Sequence, residues 1–366
     1  MRVINLVGAR PQFVKAAAIH RAIDSSNERR ENSIEEVIVH TGQHYSYRLS
    51  EIFLEQLGLT VDVNLGVGSG SHAYQTSETM LQFDRVLAEY KPDWVIVYGD
   101  TTGTLACALT AAKLHIPLAH VEAGLRGFNR RVPEEINRVV TDYVSDVLFC
   151  PSTQAAVNLA AESRVDGVYN VGDVMYDSIL HYSAVAESES TILHDLDLTT
   201  VEYYLATVHR QENTDDERRL RSILFALEAT PRPVILPLHP RTRKMLARFN
   251  IDVAISTVRL IEPVSYLDML TLERNARIII TDSGGMQKEA YWLGVPCVTL
   301  EEEETWTELF EHGCNVLAGS NSEKILSAVD AWEADPGASE RWPVGLYKGG
   351  HAAEEIMRIL ESRHEA

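Results

Sequence analysis

Arg277-Ile-Ile-Ile-Thr-Asp-Ser-Gly-Gly-Met-Gln-Lys-Glu-Ala290 is the stretch from which the fold is best read. A β-branched apolar run stops abruptly at Asp282-Ser283-Gly284-Gly285, and helix-compatible residues carrying Glu289 follow. A strand that feeds a Ser-Gly-Gly turn into a helix N-terminus makes an anion site. Unpaired backbone N–H groups point outward there, and the helix dipole adds partial positive charge. Two glycines let a bulky phosphate ligand approach the backbone. The blander reading is a tight turn with Ser283 as the helix cap. The rest of the chain decides between them.

Working outward, the same strand-turn-helix pattern opens the chain. Residues 2–7 read as a buried strand ending at Gly8-Ala9-Arg10-Pro11-Gln12, and residues 13–24 as a helix. A dinucleotide fold would place GxGxxG at this turn; one glycine stands there, which disfavours NAD or FAD, and no cofactor is expected. The turn offers Arg10 and Lys15 instead. A lysine in the first turns of a helix is unfavourable to the dipole unless an anion lies nearby. Strands follow at 36–40, 94–98, 116–122, 147–150 and 168–172, separated by helices at 74–90, at 102–114 and after Pro133. This alternation indicates a parallel, doubly wound sheet. Asp100 and Glu122 end successive strands, on the edge where open α/β sheets bind ligands. Each could also be a turn acid or a helix cap. Glu134 and Arg138, four residues apart, share one helix face.

A second alternating region has strands at 203–207, 233–238, 259–261, in the opening stretch and at 296–300, with helices at 216–227, 266–274, 322–332 and 352–362. Residues 185–200 read as a polar lead-in and 173–200 as the hinge. The expected domains are therefore 1–172, joined by the C-terminal helix 351–366, and 173–350.

Bulk properties narrow the function. A chain of 366 residues with 45% hydrophobic and 23% charged residues suits two globular domains. A formal charge of -20 argues against nucleic acid and anionic membranes as partners, and an anionic ligand would need a local positive pocket. Cys107, Cys150, Cys297 and Cys314 form no CxxC pair and read as buried thiols of a reducing compartment. No apolar run reaches a membrane span, and the N-terminus enters a strand directly, so a cytoplasmic location is expected. No histidine has metal-ligand spacing, and no metal is expected.

Taken together, the motifs resemble the non-hydrolysing UDP-N-acetylglucosamine 2-epimerase family over nearly the whole chain. The markers are Gly8-Ala-Arg-Pro-Gln-Phe-Val-Lys15, Thr41-Gly-Gln-His44, Tyr98-Gly-Asp100, His120-Val-Glu-Ala-Gly-Leu-Arg126, Pro133-Glu-Glu-Ile-Asn-Arg138, His209-Arg-Gln-Glu-Asn213, and Thr281-Asp-Ser-Gly-Gly285 with Gln287 and Glu289. The resemblance implies a GT-B-like fold, two Rossmann-like domains facing a central cleft, and a homodimer. It places the chemistry on Asp100, Glu122, Glu134 and His209, with Arg10, Lys15 and Arg138 as charged support. Ser283, Gly284 and Gly285 would hold the diphosphate, and Glu289 the ribose hydroxyls. Some relatives are activated by their own substrate through a second site, which would fall near Gln43 and His44.

The implied reaction is reversible C2 epimerisation of a UDP-sugar, UDP-GlcNAc to UDP-ManNAc, by elimination of UDP and its re-addition, supplying cell-surface polysaccharide. Ala9, Gln12 and Phe128-Asn-Arg-Arg131 resemble instead the branch that includes epimerases of UDP-2,3-diacetamido-glucuronic acid. Glu301, where that branch commonly has Arg, and the order Glu304-Thr305 depart from it and leave the sugar open. Readings from other classes are a GT-B glycosyltransferase and a non-catalytic UDP-sugar binder.

Overall fold

The computed structural model describes residues 1–29, 33–42, 53–253, 257–303 and 306–365. The chain divides into two compact units: Met1–Leu180 with Gly345–Ala366, and His181–Val344. The sequence reading puts the seams at 172/173 and 350/351. Two features move them. Val174–Glu189 is one continuous helix whose first turns bury Val174, Met175, Ser178 and Ile179. The buried Tyr347 is tied to the first unit, where its carbonyl accepts from the Asp173 N–H at 3.3 Å. Gly172, at φ +93°, permits that approach, because a Cβ there would stand 2.6 Å from the Tyr347 carbonyl oxygen.

The first unit contains β1 (Arg2–Val7), β2 (Glu35–His40), β3 (Val63–Asn64), β4 (Trp94–Tyr98), β5 (Leu118–Val121), β6 (Val147–Cys150) and β7 (Val168–Asn170). Among the described residues these form one seven-stranded sheet in the order β3-β2-β1-β4-β5-β6-β7. Every pairing is parallel; β1 runs beside β2 from Arg2↔Glu35 to Val7↔His40 and beside β4 from Val3↔Trp94. A parallel sheet is covered on both faces, which is why Val-Ile-Val runs replace a polar-apolar alternation. Ile4, Leu6, Val37, Val39, Val95 and Val97 pack under Phe83, Leu87, Ala108 and Ala111 of the covering helices. The C-terminal helix Ala352–His364 buries Ile356, Met357, Ile359 and Leu360 and lies on helix Arg10–Arg29, where Ser26 donates to Glu361 at 2.9 Å.

The second unit repeats the plan with β8 (Tyr204–Thr207), β9 (Val234–Pro237), β10 (Val258–Ile261), β11 (Ile278–Thr281), β12 (Cys297–Thr299) and β13 (Asn315–Leu317). Its order is β10-β9-β8-β11-β12-β13, again parallel. The sequence reading lacks several elements of this unit, among them helices Pro240–Arg248 and Thr307–Glu311 and the three-residue β13. In both sheets the strand order reverses beside the first strand of the unit, between β1 and β4 and between β8 and β11. At such a reversal the flanking helices leave opposite faces of the sheet, and a crevice opens beyond the carboxyl ends of the strands. Arg10 and Asp100 lie on the turns that follow β1 and β4, and His209, Ser283, Gly284 and Gly285 lie on those that follow β8 and β11.

Candidate active site

In the first unit the turn after β1 begins helix Arg10–Arg29. Gln12 stitches this turn to the end of β4: its amide donates to the Tyr98 carbonyl at 2.7 Å and to Thr104 at 3.0 Å, while its oxygen accepts from the Ala9 N–H at 3.0 Å. Arg10 is exposed and stands 5.7 Å from the centre of the Phe53 ring. Lys15 is buried and forms an ion pair with Glu122. The anion that a lysine near a helix start requires is thus a carboxylate of the protein itself.

Glu122 follows β5 and adopts φ +74°, a left-handed conformation that costs a non-glycine residue energy. The backbone is held there by N–H groups of Glu122 and Ala123 that both donate to the Phe149 carbonyl, at 3.1 and 3.0 Å. Gly99, at φ +60°, lies over the ion pair; a Cβ there would sit 3.1 Å from the Glu122 carboxylate. Asp100 comes next and takes two donors from Arg138 on one oxygen, Nε at 2.8 Å and Nη2 at 2.7 Å. Burial lowers the Arg138 pKa, but Asp100 and Glu135 outweigh it and hold the guanidinium charged. The two acids at the reversal point are therefore each matched to a fixed cation.

The helix face expected to join Glu134 to Arg138 works differently. Glu134 is exposed, whereas its neighbour Glu135 is buried and accepts from the Gly127 and Phe128 N–H groups at 2.9 and 2.8 Å and from Arg138 at 2.9 Å. Glu135 fixes the loop before the helix, and Pro133 at its first turn needs no N–H partner. Behind β5 lies a buried web: His120 contacts Asp142 at 2.6 Å and the Gly99 carbonyl at 2.8 Å, and Arg126 reaches Asp142 at 2.7 Å and Glu162 at 2.7 Å. Burial pushes the Asp142 carboxyl up, yet His120 and Arg126 hold it below the usual carboxylate range.

In the second unit Ser283 caps helix Gly284–Leu293, accepting from the Met286 N–H at 3.5 Å, and Gly284 and Gly285 are the first two helical residues. Their N–H groups precede the first intrahelical bond, as an anion site requires. A residue with no assigned role in the sequence organises this turn. Asp282, fully buried, accepts from the His209 N–H at 3.0 Å to each oxygen, from the Arg210 N–H at 3.0 Å and from Asn213 at 3.1 Å. It also faces His209 Nδ1 at 3.1 Å, so the carboxylate orients the imidazole and leaves Nε2 outward. Burial raises the Asp282 pKa, and His209, Asn213 and Arg210 reverse that and hold it low. The His239 ring lies 5.5 Å from that of His209. Arg210, paired with the buried Glu301, brings a guanidinium to within 3.7 Å of where a Gly284 Cβ would be. Trp306 Nε1 donates to the Gly284 carbonyl at 2.8 Å and closes the turn from the other side.

Glu289 is buried one helical turn on, and burial together with Glu289 drives the neighbouring Glu273 carboxyl well above its usual pKa. Met269 packs against the core with Leu272 and Met286. Gln43, His44 and Glu304-Thr305 lie outside the described residues. Among the described residues no group of three or more His, Cys, Asp or Glu side chains is arranged to hold a metal ion, and no helix is long and apolar enough to cross a membrane.

The sequence and the fold have counterparts among known proteins. The family model described as UDP-N-acetylglucosamine 2-epimerase matches residues 27–361. The chain belongs to the UDP-N-acetylglucosamine 2-epimerase family. Within that family it is 45% identical to a UDP-N-acetylglucosamine 2-epimerase homolog of Methanococcus maripaludis, over 99% of this chain and 100% of the other. It is 43% identical to the UDP-2,3-diacetamido-2,3-dideoxy-D-glucuronate 2-epimerase of Pseudomonas aeruginosa, over 98% and 99%. Among solved structures, the Methanocaldococcus jannaschii UDP-GlcNAc 2-epimerase in complex with UDP-GlcNAc and UDP superposes with a TM-score of 0.90 at 39% identity, covering 99% of this chain and 100% of that one. This likeness places the two doubly wound units in the α/β, GT-B-like fold of the 2-epimerase family.

Proposed function

We propose that the protein is a non-hydrolysing 2-epimerase that interconverts UDP-GlcNAc and UDP-ManNAc. The observation that carries the reading is the pairing of acids with cations at the reversal point of the first sheet, Asp100 with Arg138 and Glu122 with Lys15. The second unit supplies a glycine turn at a helix start with His209 and Arg210 beside it.

The chemistry follows from the substrate. The C2 proton of an N-acetylhexosamine is not next to a carbonyl and is not acidic. Breaking the bond from C1 to the diphosphate oxygen sends the electron pair to UDP and gives the ring oxocarbenium character. C2–H is then acidified, and a carboxylate takes the proton; its electron pair forms the C1–C2 double bond of a 2-acetamidoglycal. UDP returns to C1 while a proton arrives at C2 from the opposite face. The departing diphosphate needs fixed positive groups: the N–H groups of Gly284 and Gly285 behind Ser283, with His209 and Arg10. Asp100, Glu122 and Glu134 are the proposed proton carriers, Arg138 holds Asp100 and Lys15 holds Glu122, and Glu289 grips the ribose diol. Two faces of C2 call for more than one carrier, which is why several acids are present. The finer reading is of a homodimer in the cytoplasm, where four buried thiols stay reduced, supplying nucleotide sugar for cell-surface polysaccharide.

The second reading, a UDP-2,3-diacetamido-glucuronate 2-epimerase, is favoured by the identity to the Pseudomonas aeruginosa enzyme. NMR of the purified protein with a panel of UDP-sugars decides between them. A new nucleotide sugar from UDP-GlcNAc supports the first reading and one from the diacetamido-uronate alone supports the second. Free N-acetylmannosamine with UDP would point to hydrolysis, turnover only with an added acceptor to a glycosyltransferase, and binding without turnover to a UDP-sugar binder.

A further inference from the structure

Histidine and aspartate buried behind a sheet are usually satisfied core residues. His120 and Asp142 differ in what they hold. His120, on β5, is wholly buried, and its Nε2 faces the Gly99 carbonyl at 2.8 Å. A carbonyl can only accept, so Nε2 carries the proton there. The Gly99 N–H in turn donates to the Val121 carbonyl at 3.0 Å, so both backbone groups of Gly99 are tied to β5. Gly99 precedes Asp100 and lies against the Glu122–Lys15 pair, a Cβ on it falling 3.6 Å from Lys15 Nζ.

Asp142 acts on the same place from two directions. One oxygen fixes the His120 ring at 2.6 Å. The other accepts from the Gly124 N–H at 3.1 Å and from Arg126 at 2.7 Å, and so pins the chain just past Glu122. That segment holds Glu122 at φ +74° and Gly124 at φ +82°, a backbone course that needs to be over-determined to persist.

We propose that His120 and Asp142 are positioning residues for the reaction: Asp142 sets the His120 ring, the ring props the Gly99 carbonyl, and the pair thereby fixes both the turn that presents Asp100 and the strained residue Glu122. The proposal rests on the reading of Asp100 and Glu122 as the reacting acids. Neither His120 nor Asp142 touches substrate. Their effect is geometric, and a displacement of about 1 Å at a reacting group can cost on the order of 100-fold in rate.

The test compares His120→Leu, His120→Gln and Asp142→Asn with the wild type, measuring kcat and KM by NMR on whichever UDP-sugar the wild type converts, and UDP affinity and stoichiometry by calorimetry. His120→Leu is expected to lower kcat about 100-fold with KM little changed. UDP affinity should stay within about twofold with full stoichiometry, since the nucleotide groups other than Arg10 lie on the other sheet. His120→Gln can still donate to the Gly99 carbonyl and should recover about tenfold, the value of one such hydrogen bond. Asp142→Asn should lower kcat by about tenfold. A His120→Leu protein that binds UDP stoichiometrically and keeps wild-type kcat overturns the proposal, and so does a His120→Gln no better than His120→Leu, which marks simple packing. If His120→Leu does not fold, Asp142→Asn decides, and wild-type kcat in that variant overturns it. A wild type that converts no UDP-sugar refutes the functional reading instead, a separate outcome.

Discussion

Replacing Asp282 by asparagine tests the second unit's turn most sharply. The carboxylate is fully buried, and each of its oxygens is committed: Oδ1 to the His209 N–H and Nδ1 at 3.0 and 3.1 Å, Oδ2 to the N–H groups of His209 and Arg210 at 3.0 Å and to Asn213 at 3.1 Å. Asparagine has the same shape but turns one oxygen into an NH2 donor. Placed at Oδ2 that donor would meet three others; placed at Oδ1 it meets the His209 groups, the smaller loss. A hydrogen bond to a charged group contributes about 1.5–3 kcal/mol and a buried unpaired donor costs about 1–3 kcal/mol, so the variant should be destabilised by about 3 kcal/mol. Urea unfolding gives the value. Because the folded-state pKa of Asp282 is depressed below 3.8, its stabilisation is present above that pH and is lost as pH falls through the folded value. The gap between wild type and variant should thus be constant near neutrality and close in acid. The imidazole also loses its anchor, and kcat should fall by about 100-fold or more. A loss of stability under about 0.5 kcal/mol would refute the hub role of Asp282.

Other expectations follow from the same contacts. Asp100→Asn should abolish turnover while UDP binding measured by calorimetry is spared; unchanged turnover would remove Asp100 from the reacting groups. Lys15→Met leaves the Glu122 carboxylate without its buried cation and should cost about 3–5 kcal/mol in chemical denaturation, with loss of kcat; a small cost would mean that the pair is dispensable. Asp177 accepts from the Ala353 N–H at 2.7 Å, but burial raises its pKa to about 6 from 3.8. A raised carboxyl favours the folded state only while it is protonated, so stability falls as pH rises from about 4 through about 6, by at most about 3 kcal/mol. Asp177→Asn keeps an acceptor for Ala353 and should flatten that limb of the pH–stability curve; an unaltered curve would contradict the assignment.

The strands that build both sheets were legible because a two-sided parallel sheet leaves uninterrupted Val-Ile runs, as in Trp94–Tyr98 and Ile278–Thr281. The reversal of strand order was not, since it depends on which strands pair. β3 and β13, with two and three residues, are too short to carry a periodic signal. Helix Val174–Glu189 was hidden because its apolar residues follow no single face. Asp100, Glu122, Lys15 and His209 could be picked out as charges at strand ends. Their partners could not. Spacing of four suggested Glu134 for Arg138, yet the neighbouring Glu135 is the one turned inward. Asp282 stood in plain view between Thr281 and Ser283, but its role appears only when β8 and β11 lie side by side and bring His209 to it. His120 and Asp142 are 22 residues apart and meet only because β5 and helix Pro133–Val144 are neighbours.

The central claim is that the proton at C2 is removed and replaced while UDP leaves and returns. Incubation with UDP-GlcNAc in heavy water, followed by NMR at C2, tests it directly. The account predicts deuterium at C2 in the product and, as the reaction reverses, in the recovered substrate. Product carrying only protium at C2 would contradict it.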